Sequence, residues 1–188
     1  FVLCGYLVAF MMDEVLAESA PLHGRATLEY KLNPFNYLDT AEFVSDYAFE
    51  DKAIVYGLTN GVAKYIEQFN SDKSLEKNIV DEFYSIGGYF TEEQVKTVIT
   101  NDKQNPPLYN SIVSAVATGH TRNSEIATAV GADEITYPLK MLQKAEIIEK
   151  RVSNKPYYTI NDTMLVFWYK YVNRSVSLIN AGKGERYY

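Results

Sequence analysis

Apolar residues recur at helical spacing through most of the chain after residue 36. Asp39, followed by Glu42 three positions later, predicts an N-cap and a capping box that open a helix running through Val44. Four more short helices are predicted over residues 49–58, 61–69, 74–86 and 91–99. Ser74 is the predicted cap of the helix that starts there. Together these helices predict a small bundle over residues 36–105.

Residues 107–161 carry the pattern of a second structural unit. Three helices are predicted over residues 108–117, 123–130 and 133–144, followed by two β segments over residues 147–151 and 157–160. Gly131 ends the second helix. Helix, helix, turn, helix and hairpin is the order of a winged helix-turn-helix, in which the third helix is the recognition helix. The sequence therefore predicts a winged helix domain over residues 106–162.

The beginning of the chain carries β patterns. Residues 1–4 are apolar and suit a buried strand, although their periodicity does not exclude a helix. In residues 26–32, Leu28, Tyr30 and Leu32 alternate with polar positions, which predicts a half-buried strand.

The end of the chain is aromatic. With Asp162 as its cap, residues 163–172 predict a helix, and the glycine-containing tail that follows is expected to fray. Phe167, Trp168, Tyr169 and Tyr171 resemble a platform on which bases could stack. At this helical spacing we favour the other interpretation, a face that packs against the winged helix.

Composition places the chain among folded proteins that are mainly α with small β content. The hydrophobic content of 47% can fill a core. A single cysteine excludes a disulfide framework and a Cys-based zinc site, and the two histidines lie too far apart for a metal motif. The apolar run over residues 1–12 is shorter than the roughly 20 residues that a membrane span needs, so we expect a truncated core element, no membrane contact and a cytoplasmic location.

Charge is distributed unevenly. The net charge of −6 argues against a chain that wraps nucleic acid with its whole surface. Residues 1–105 carry 8 Lys and Arg against 17 Asp and Glu, whereas residues 163–188 carry 4 against 1. This shift predicts two modules that are separated at residues 105–107, where Asn is followed by two prolines.

These pieces resemble a family of prokaryotic, mostly archaeal, AAA+/STAND-like P-loop ATPases that carry a winged helix and a C-terminal nuclease-like domain of unknown function. The similar stretches include FVLCG at residues 1–5, PLHGRAT at residues 21–27, residues 49–69, residues 124–131, residues 137–148 and YTINDTMLVFWYKYV at residues 158–172. No stretch is specific alone, and the resemblance depends on their order and spacing.

The resemblance implies a division of the chain. Residues 1–35 would be a remnant of the P-loop core and residues 36–105 a helical lid. Residues 106–162 would be the winged helix, and residues 163–188 a linker helix toward a further domain. ATP and Mg²⁺ would bind in the parent protein, whereas none is expected on this chain, which lacks the phosphate-binding pattern GxxxxGK followed by Ser or Thr.

Family positions carry over to four residues. Arg25 matches an arginine that would face phosphate or a neighbouring subunit, because its planar fork suits anionic oxygens. Asn60, Gly61 and Ala63 match a lid motif near the adenine, in which the family has proline where this chain has alanine. These four residues are the candidate nucleotide contacts.

The winged helix predicts DNA as a candidate partner. Its contacts would be Thr136, Tyr137, Lys140, Gln143, Lys144, Lys150, Arg151 and Lys155. Asp133 and Glu134, at the predicted start of the recognition helix, would repel phosphates, and residues 106–162 have no net charge, so a protein partner remains the other alternative.

Three functions are open. The first is the regulatory part of a P-loop ATPase that couples nucleotide state to a partner or to DNA, with no catalysis in this chain. The second is a free-standing winged-helix transcription regulator with a helical dimerisation region. An enzyme acting through this chain alone comes third, because no nucleophile and base stand out. We also expect residues 1–32 to be covered by a neighbouring copy in a homo-oligomer.

Overall fold

The computed structural model describes residues 16–19, 23–25, 27–91 and 106–187. The predictions for residues 1–4 and 92–99 lie outside the described residues. Within them the chain is mainly helical and contains one two-stranded antiparallel sheet, which confirms the predicted fold class. None of the helices in these ranges is long and apolar enough to cross a membrane.

The first part of the chain, residues 36–91, is named the helical segment. Its helices are α1 (Tyr37–Phe43), α2 (Phe49–Thr59), α3 (Ala63–Ile66) and α4 (Leu75–Ile79), and a π-helical turn over Val80–Tyr84 continues α4. Three corrections apply to the predicted bounds: α1 begins earlier, the helix predicted over residues 61–69 shrinks to one turn, and α4 changes to π-helical winding before it ends.

The cap of α1 is Asn36 rather than Asp39. The Asn36 Oδ1 atom accepts hydrogen bonds from the backbone N–H groups of Leu38 and Asp39, at 2.8 and 3.1 Å. The Asp39 carboxylate in turn accepts the Asn36 N–H at 3.3 Å, so Asp39 is the third helical residue of a capping box. Ser74 caps α4 as predicted, because its hydroxyl accepts the Lys77 N–H at 3.2 Å.

The second part, residues 106–162, is named the winged-helix segment. It contains α5 (Pro106–Ala117), α6 (Asn123–Val130), α7 (Thr136–Lys144), β1 (Ile148–Arg151) and β2 (Tyr157–Ile160). The two strands pair with Ile148 opposite Ile160 and Arg151 opposite Tyr157. The predicted order of elements is therefore confirmed, and Gly131 ends α6 in the left-handed conformation as expected.

Two predicted boundaries in this segment are wrong. The first helix was predicted from residue 108, but Pro106 and Pro107 already form the first turn of α5, where a missing N–H costs nothing because that N–H has no partner inside the helix. The third helix starts at Thr136 instead of Asp133, so the two acidic residues precede α7 and lie outside it.

The chain ends in a helical run that packs back on the helical segment. This run contains α8 (Thr163–Phe167), a π-helical turn over Trp168–Val172, a 3₁₀ turn over Asn173–Ser175, α9 (Val176–Asn180) and a last 3₁₀ turn over Gly184–Tyr187. Gly184 lies so close to the carbonyl oxygen of Tyr84 that a Cβ at this position would be 2.0 Å from it. The expectation of a frayed tail is therefore wrong up to Tyr187.

The strand predicted over residues 26–32 is also wrong in its described part. Residues 27–32 have no ladder partner among the described residues, and Leu28, Tyr30 and Leu32 are 78–83% exposed. The segment contacts the rest of the protein through Lys31 instead, whose Nζ donates to the Glu146 carboxylate with an N–O distance of 2.6 Å. Alternation alone did not produce a sheet, because a strand also needs a neighbour for its backbone groups.

One hydrophobic core joins the two segments through α8 and its π-helical continuation. The indole N–H of Trp168, a side chain only 1% exposed, donates to the carbonyl of Phe90 at 2.8 Å. The next residue, Tyr169, donates its hydroxyl to Asn110 Oδ1 in α5 at 2.6 Å. Packing against the winged-helix segment is therefore confirmed for Tyr169. Trp168 bonds to the helical segment instead, the Phe167 ring meets Phe83 of that segment at 5.1 Å, and Tyr171 is half exposed.

Candidate interaction face of the winged-helix segment

The outer side of α7 and the adjoining hairpin form the candidate site. Helix α7 buries Pro138, Leu139 and Leu142 against the core and packs on β1. The eight predicted contacts to a partner are all exposed except Gln143, which is partly buried. We name this surface the α7–wing face: Thr136, Tyr137, Lys140, Gln143, Lys144, Lys150, Arg151 and Lys155.

A negative charge is held at the start of α7. The Glu134 carboxylate accepts a hydrogen bond from the backbone N–H of Thr136 at 2.6 Å. Hydrogen bonds from the hydroxyl and the backbone of Thr136 lower the pKa of Glu134, so this carboxyl is ionised at neutral pH. Because the N-terminal end of a recognition helix normally meets the bases, Glu134 disfavours close approach of a phosphate backbone.

The hairpin carries basic residues, and one of them is neutralised locally. Arg151 pairs with Glu149 at 3.0 Å, whereas the Lys150 ammonium lies 6.0 Å from the centre of the Tyr158 ring. Ser153 shapes the turn, since its hydroxyl donates to the Lys155 carbonyl at 2.7 Å and accepts the Lys155 N–H. Among the described residues, Lys150 and Lys155 pair with no carboxylate, and the same holds for Lys140 on α7.

Three of the four candidate nucleotide contacts lie in one turn between α2 and α3. Asn60 ends α2 in the left-handed conformation, Gly61 follows with φ +71°, and Ala63 is the first residue of α3. The structure does not join Arg25 to this turn. Arg25 is exposed and forms no hydrogen bond or ion pair with another described residue.

The same turn is already filled by protein. The Gly61 carbonyl accepts the Phe35 N–H at 2.8 Å, and a Cβ on Gly61 would lie 1.9 Å from the Phe35 oxygen. Glycine is therefore required here by contact with residue 35. No cluster of His, Cys, Asp or Glu within the described residues could hold a metal ion.

A contact between this turn and α8 was not predicted from the sequence. The Asn60 Oδ1 atom lies 3.5 Å from the Thr163 hydroxyl, one residue after the α8 cap. The cap itself, Asp162, accepts the N–H groups of Met164 and Leu165 at 2.8 and 3.3 Å. Burial raises the pKa of Asp162 to about 6. The cap was visible in the sequence, whereas a contact across 103 positions had no sequence signal.

A cleft of about 500 Å³ opens between α5, α6 and the π-helical turn after α8. Three of its polar side chains form hydrogen bonds within the protein. Ser111 and Thr118 donate their hydroxyls to carbonyls of α5 at 2.9 and 2.8 Å, and Asn110 accepts the Tyr169 hydroxyl. Ser114 and Asn173 also line the cleft and form no side-chain hydrogen bond with a described residue, so few free polar groups remain to orient a ligand.

Comparison with known proteins gives one distant relative. The chain is 26% identical over 196 residues to an uncharacterized protein of Methanocaldococcus jannaschii, MJECL04. The match covers 96% of this chain but 43% of that protein, so the chain spans less than half the length of this relative. No family model matches the chain, and no solved structure matches it.

Proposed function

We propose that this chain is the lid and winged-helix region of an ATP-binding P-loop ATPase of the AAA+/STAND-like type. In this proposal it couples the nucleotide state to a partner through the α7–wing face. The observation that carries the coupling is the shared core: Trp168 donates to Phe90 in the helical segment, and Tyr169 donates to Asn110 in α5. A displacement of one segment is therefore passed to the other through adjacent residues of one helix.

The turn after α2 supports the proposed direction of coupling. Asn60 contacts Thr163 at the start of α8, so a movement of the candidate lid turn would act on the same helix that holds the winged-helix segment. In this proposal ATP and Mg²⁺ are held by a core outside these 188 residues, and this chain alone performs no catalysis. The length of the archaeal relative, more than twice the matched region, is compatible with such a core.

The proposal predicts little or no nucleotide binding by this chain alone. It lacks the glycine-rich cradle and lysine that hold phosphates, and the Asn60–Gly61 turn is filled by Phe35. Calorimetric titration with Mg-ATP is expected to give no saturable signal in the micromolar range. Micromolar affinity would contradict the division of roles proposed here.

A longer protein that contains this chain provides the decisive test. Its additional sequence should contain GxxxxGK followed by Ser or Thr. In a form of that protein in which every other tryptophan has been replaced, Mg-ATP should change the fluorescence of Trp168. This is expected because the Trp168 indole lies where the two segments meet. Trp168→Phe combined with Tyr157→Trp is the matched control, since Tyr157 lies on the hairpin and is 39% exposed. An unchanged Trp168 signal at saturating nucleotide would refute the coupling.

A DNA-binding transcription regulator is the second candidate, favoured by the exposed lysines of the α7–wing face. With few cations and with Glu134 beside them, DNA binding should be weak and strongly salt-dependent. Lys140→Glu combined with Lys144→Glu should abolish it in fluorescence anisotropy. Lys64→Glu, in the helical segment, is the control that should leave it unchanged. Equal affinity of the double variant and the wild type would show that α7 is not the recognition helix.

A further inference from the structure

Helices α1 and α2 leave large apolar side chains in solvent. Leu38, Phe43, Phe49 and Ile54 are 46–72% exposed. The two helices pack on each other, and the Phe49 ring meets Tyr37 edge to face with centroids 6.3 Å apart. Several exposed apolar side chains on two adjoining helices are typical of a surface that binds another protein.

The same two helices are acidic. Residues 36–59 contain five carboxylates and one lysine, a net charge of −4. None of these carboxylates forms an ion pair with a described residue. We name the α1–α2 face by its exposed apolar side chains and its carboxylates: Leu38, Phe43, Phe49, Ile54, Asp39, Glu42, Asp46, Glu50 and Asp51.

The α7–wing face has the complementary character. It carries lysines without carboxylate partners at positions 140, 150 and 155 among the described residues. Exposed apolar side chains lie between or beside them, since Tyr137 is 54%, Tyr157 39% and Val152 92% exposed. Complementary charge around aromatic contacts is how protein interfaces select their partner.

We propose that the α1–α2 face of one copy of this chain docks on the α7–wing face of a second copy. This inference rests on the proposed function, because it names the partner of the α7–wing face. A second copy uses both exposed faces at once, whereas DNA would leave the acidic, apolar α1–α2 face uncovered. A two-fold arrangement would form the contact twice, once in each direction, and so would close the assembly as a dimer.

Charge exchange between two variants tests this pairing directly. One variant is Glu42→Lys with Glu50→Lys, and the other is Lys140→Glu with Lys155→Glu. Light scattering of the whole chain should show a dimer for the wild type and monomers for each variant alone. An equimolar mixture of the two variants should form dimers again, because the opposite charges then face each other. Salt at 0.5 M should raise the dissociation constant of the wild-type dimer about tenfold or more.

Glu76→Lys is the matched control, because Glu76, like Glu50, is an exposed carboxylate in the first turn of a helix. It should leave the dimer intact. A wild-type chain that stays monomeric at millimolar concentration would overturn the inference, and so would a mixture that stays monomeric while both variants show native circular dichroism. If the Trp168 response to nucleotide persists in that case, the proposed function stands. A dimer through these faces without a nucleotide response would overturn the proposed function alone.

Discussion

The helical segment and the winged-helix segment are both stabilised by buried side chains, but of different kinds. The helical segment buries aromatic rings, such as Phe83 stacked on Phe90 at 4.4 Å, together with polar side chains. The winged-helix segment buries mainly aliphatic residues, among them Ile112, Ile126 and Leu139. Aliphatic packing depends on volume, whereas the polar groups of the helical segment must also satisfy directional hydrogen bonds.

Asn78 shows what this difference means for the helical segment. Its side chain is 1% exposed and makes four contacts at or below 3.0 Å. The amide donates to the Tyr47 hydroxyl and to the carbonyls of Asn70 and Ser74, and its oxygen accepts the Asn70 N–H. One side chain therefore holds α4 to the loop before it and to Tyr47, which lies in the loop between α1 and α2.

Truncating the residue that joins the two segments should have the largest effect. Trp168→Ala removes a buried ring and leaves the Phe90 carbonyl without its donor, which should lower the free energy of unfolding by about 4 kcal/mol. Urea denaturation followed by circular dichroism measures it. Trp168→Phe, which keeps most of the packing, should cost less. Loss of protection from hydrogen exchange in only one of the two segments would contradict the shared core.

Removing the buried Asn78 side chain from the helical segment should have the second largest effect. Asn78→Ala removes the acceptor of the Asn70 N–H and one donor to the Tyr47 hydroxyl, which keeps its own hydrogen bond to the Asn70 carbonyl, and this change should cost about 2 kcal/mol. Ile112→Val in α5, a change of volume alone, should cost about 1 kcal/mol. Denaturation of both variants under the same conditions gives the comparison. A larger loss of unfolding free energy for Ile112→Val than for Asn78→Ala would contradict this difference between the two segments.

The cap that joins β2 to α8 should respond to pH. Burial raises the pKa of Asp162 from 3.8 to about 6, so its contribution to stability is complete below pH 3.8 and is lost as the pH rises through 6. Asp162→Asn keeps an acceptor for the Met164 N–H and carries no charge. The difference in melting temperature between Asp162→Asn and the wild type should therefore shift in favour of the variant as the pH rises from 4 to 7. A difference that does not change with pH would exclude this role for Asp162.

The smallest effect is expected at an exposed cap in the winged-helix segment. Hydrogen bonds from the backbone N–H groups of Arg122 and Thr121 lower the pKa of Glu125 below 4.5. Its stabilising contribution is present above pH 4.5 and is lost as the pH falls through the lowered value. Glu125→Gln should thus melt below the wild type at pH 7 and approach it near pH 3. If the melting temperatures of Glu125→Gln and the wild type converged at high pH instead, the expected stabilising role of ionised Glu125 would be wrong.

Prediction from the sequence was most accurate in the winged-helix segment. Its aliphatic residues repeat at regular spacing, Gly131 marks a helix end, and the two strands pair across a short turn. In the helical segment the cap of α1 shifted, because Asn36 and Asp39 both suit a cap, and the burial of Thr40 and Val44 fits the register that Asn36 starts. For the candidate site, the residues of the α7–wing face remain a prediction, of which the structure shows the exposure, and the ion pair between Arg151 and Glu149 was not predicted.

The sequence by itself determined the helical class, the order of the elements and the caps at Ser74 and Asp162, because these depend on residues within about four positions of one another. Only the tertiary structure decided that residues 27–32 form no strand and that Gly61 is required by contact with Phe35. It also decided that Trp168 joins the two segments. Each of these depends on which distant backbone group lies nearby, and no local pattern of apolar and polar residues specifies that.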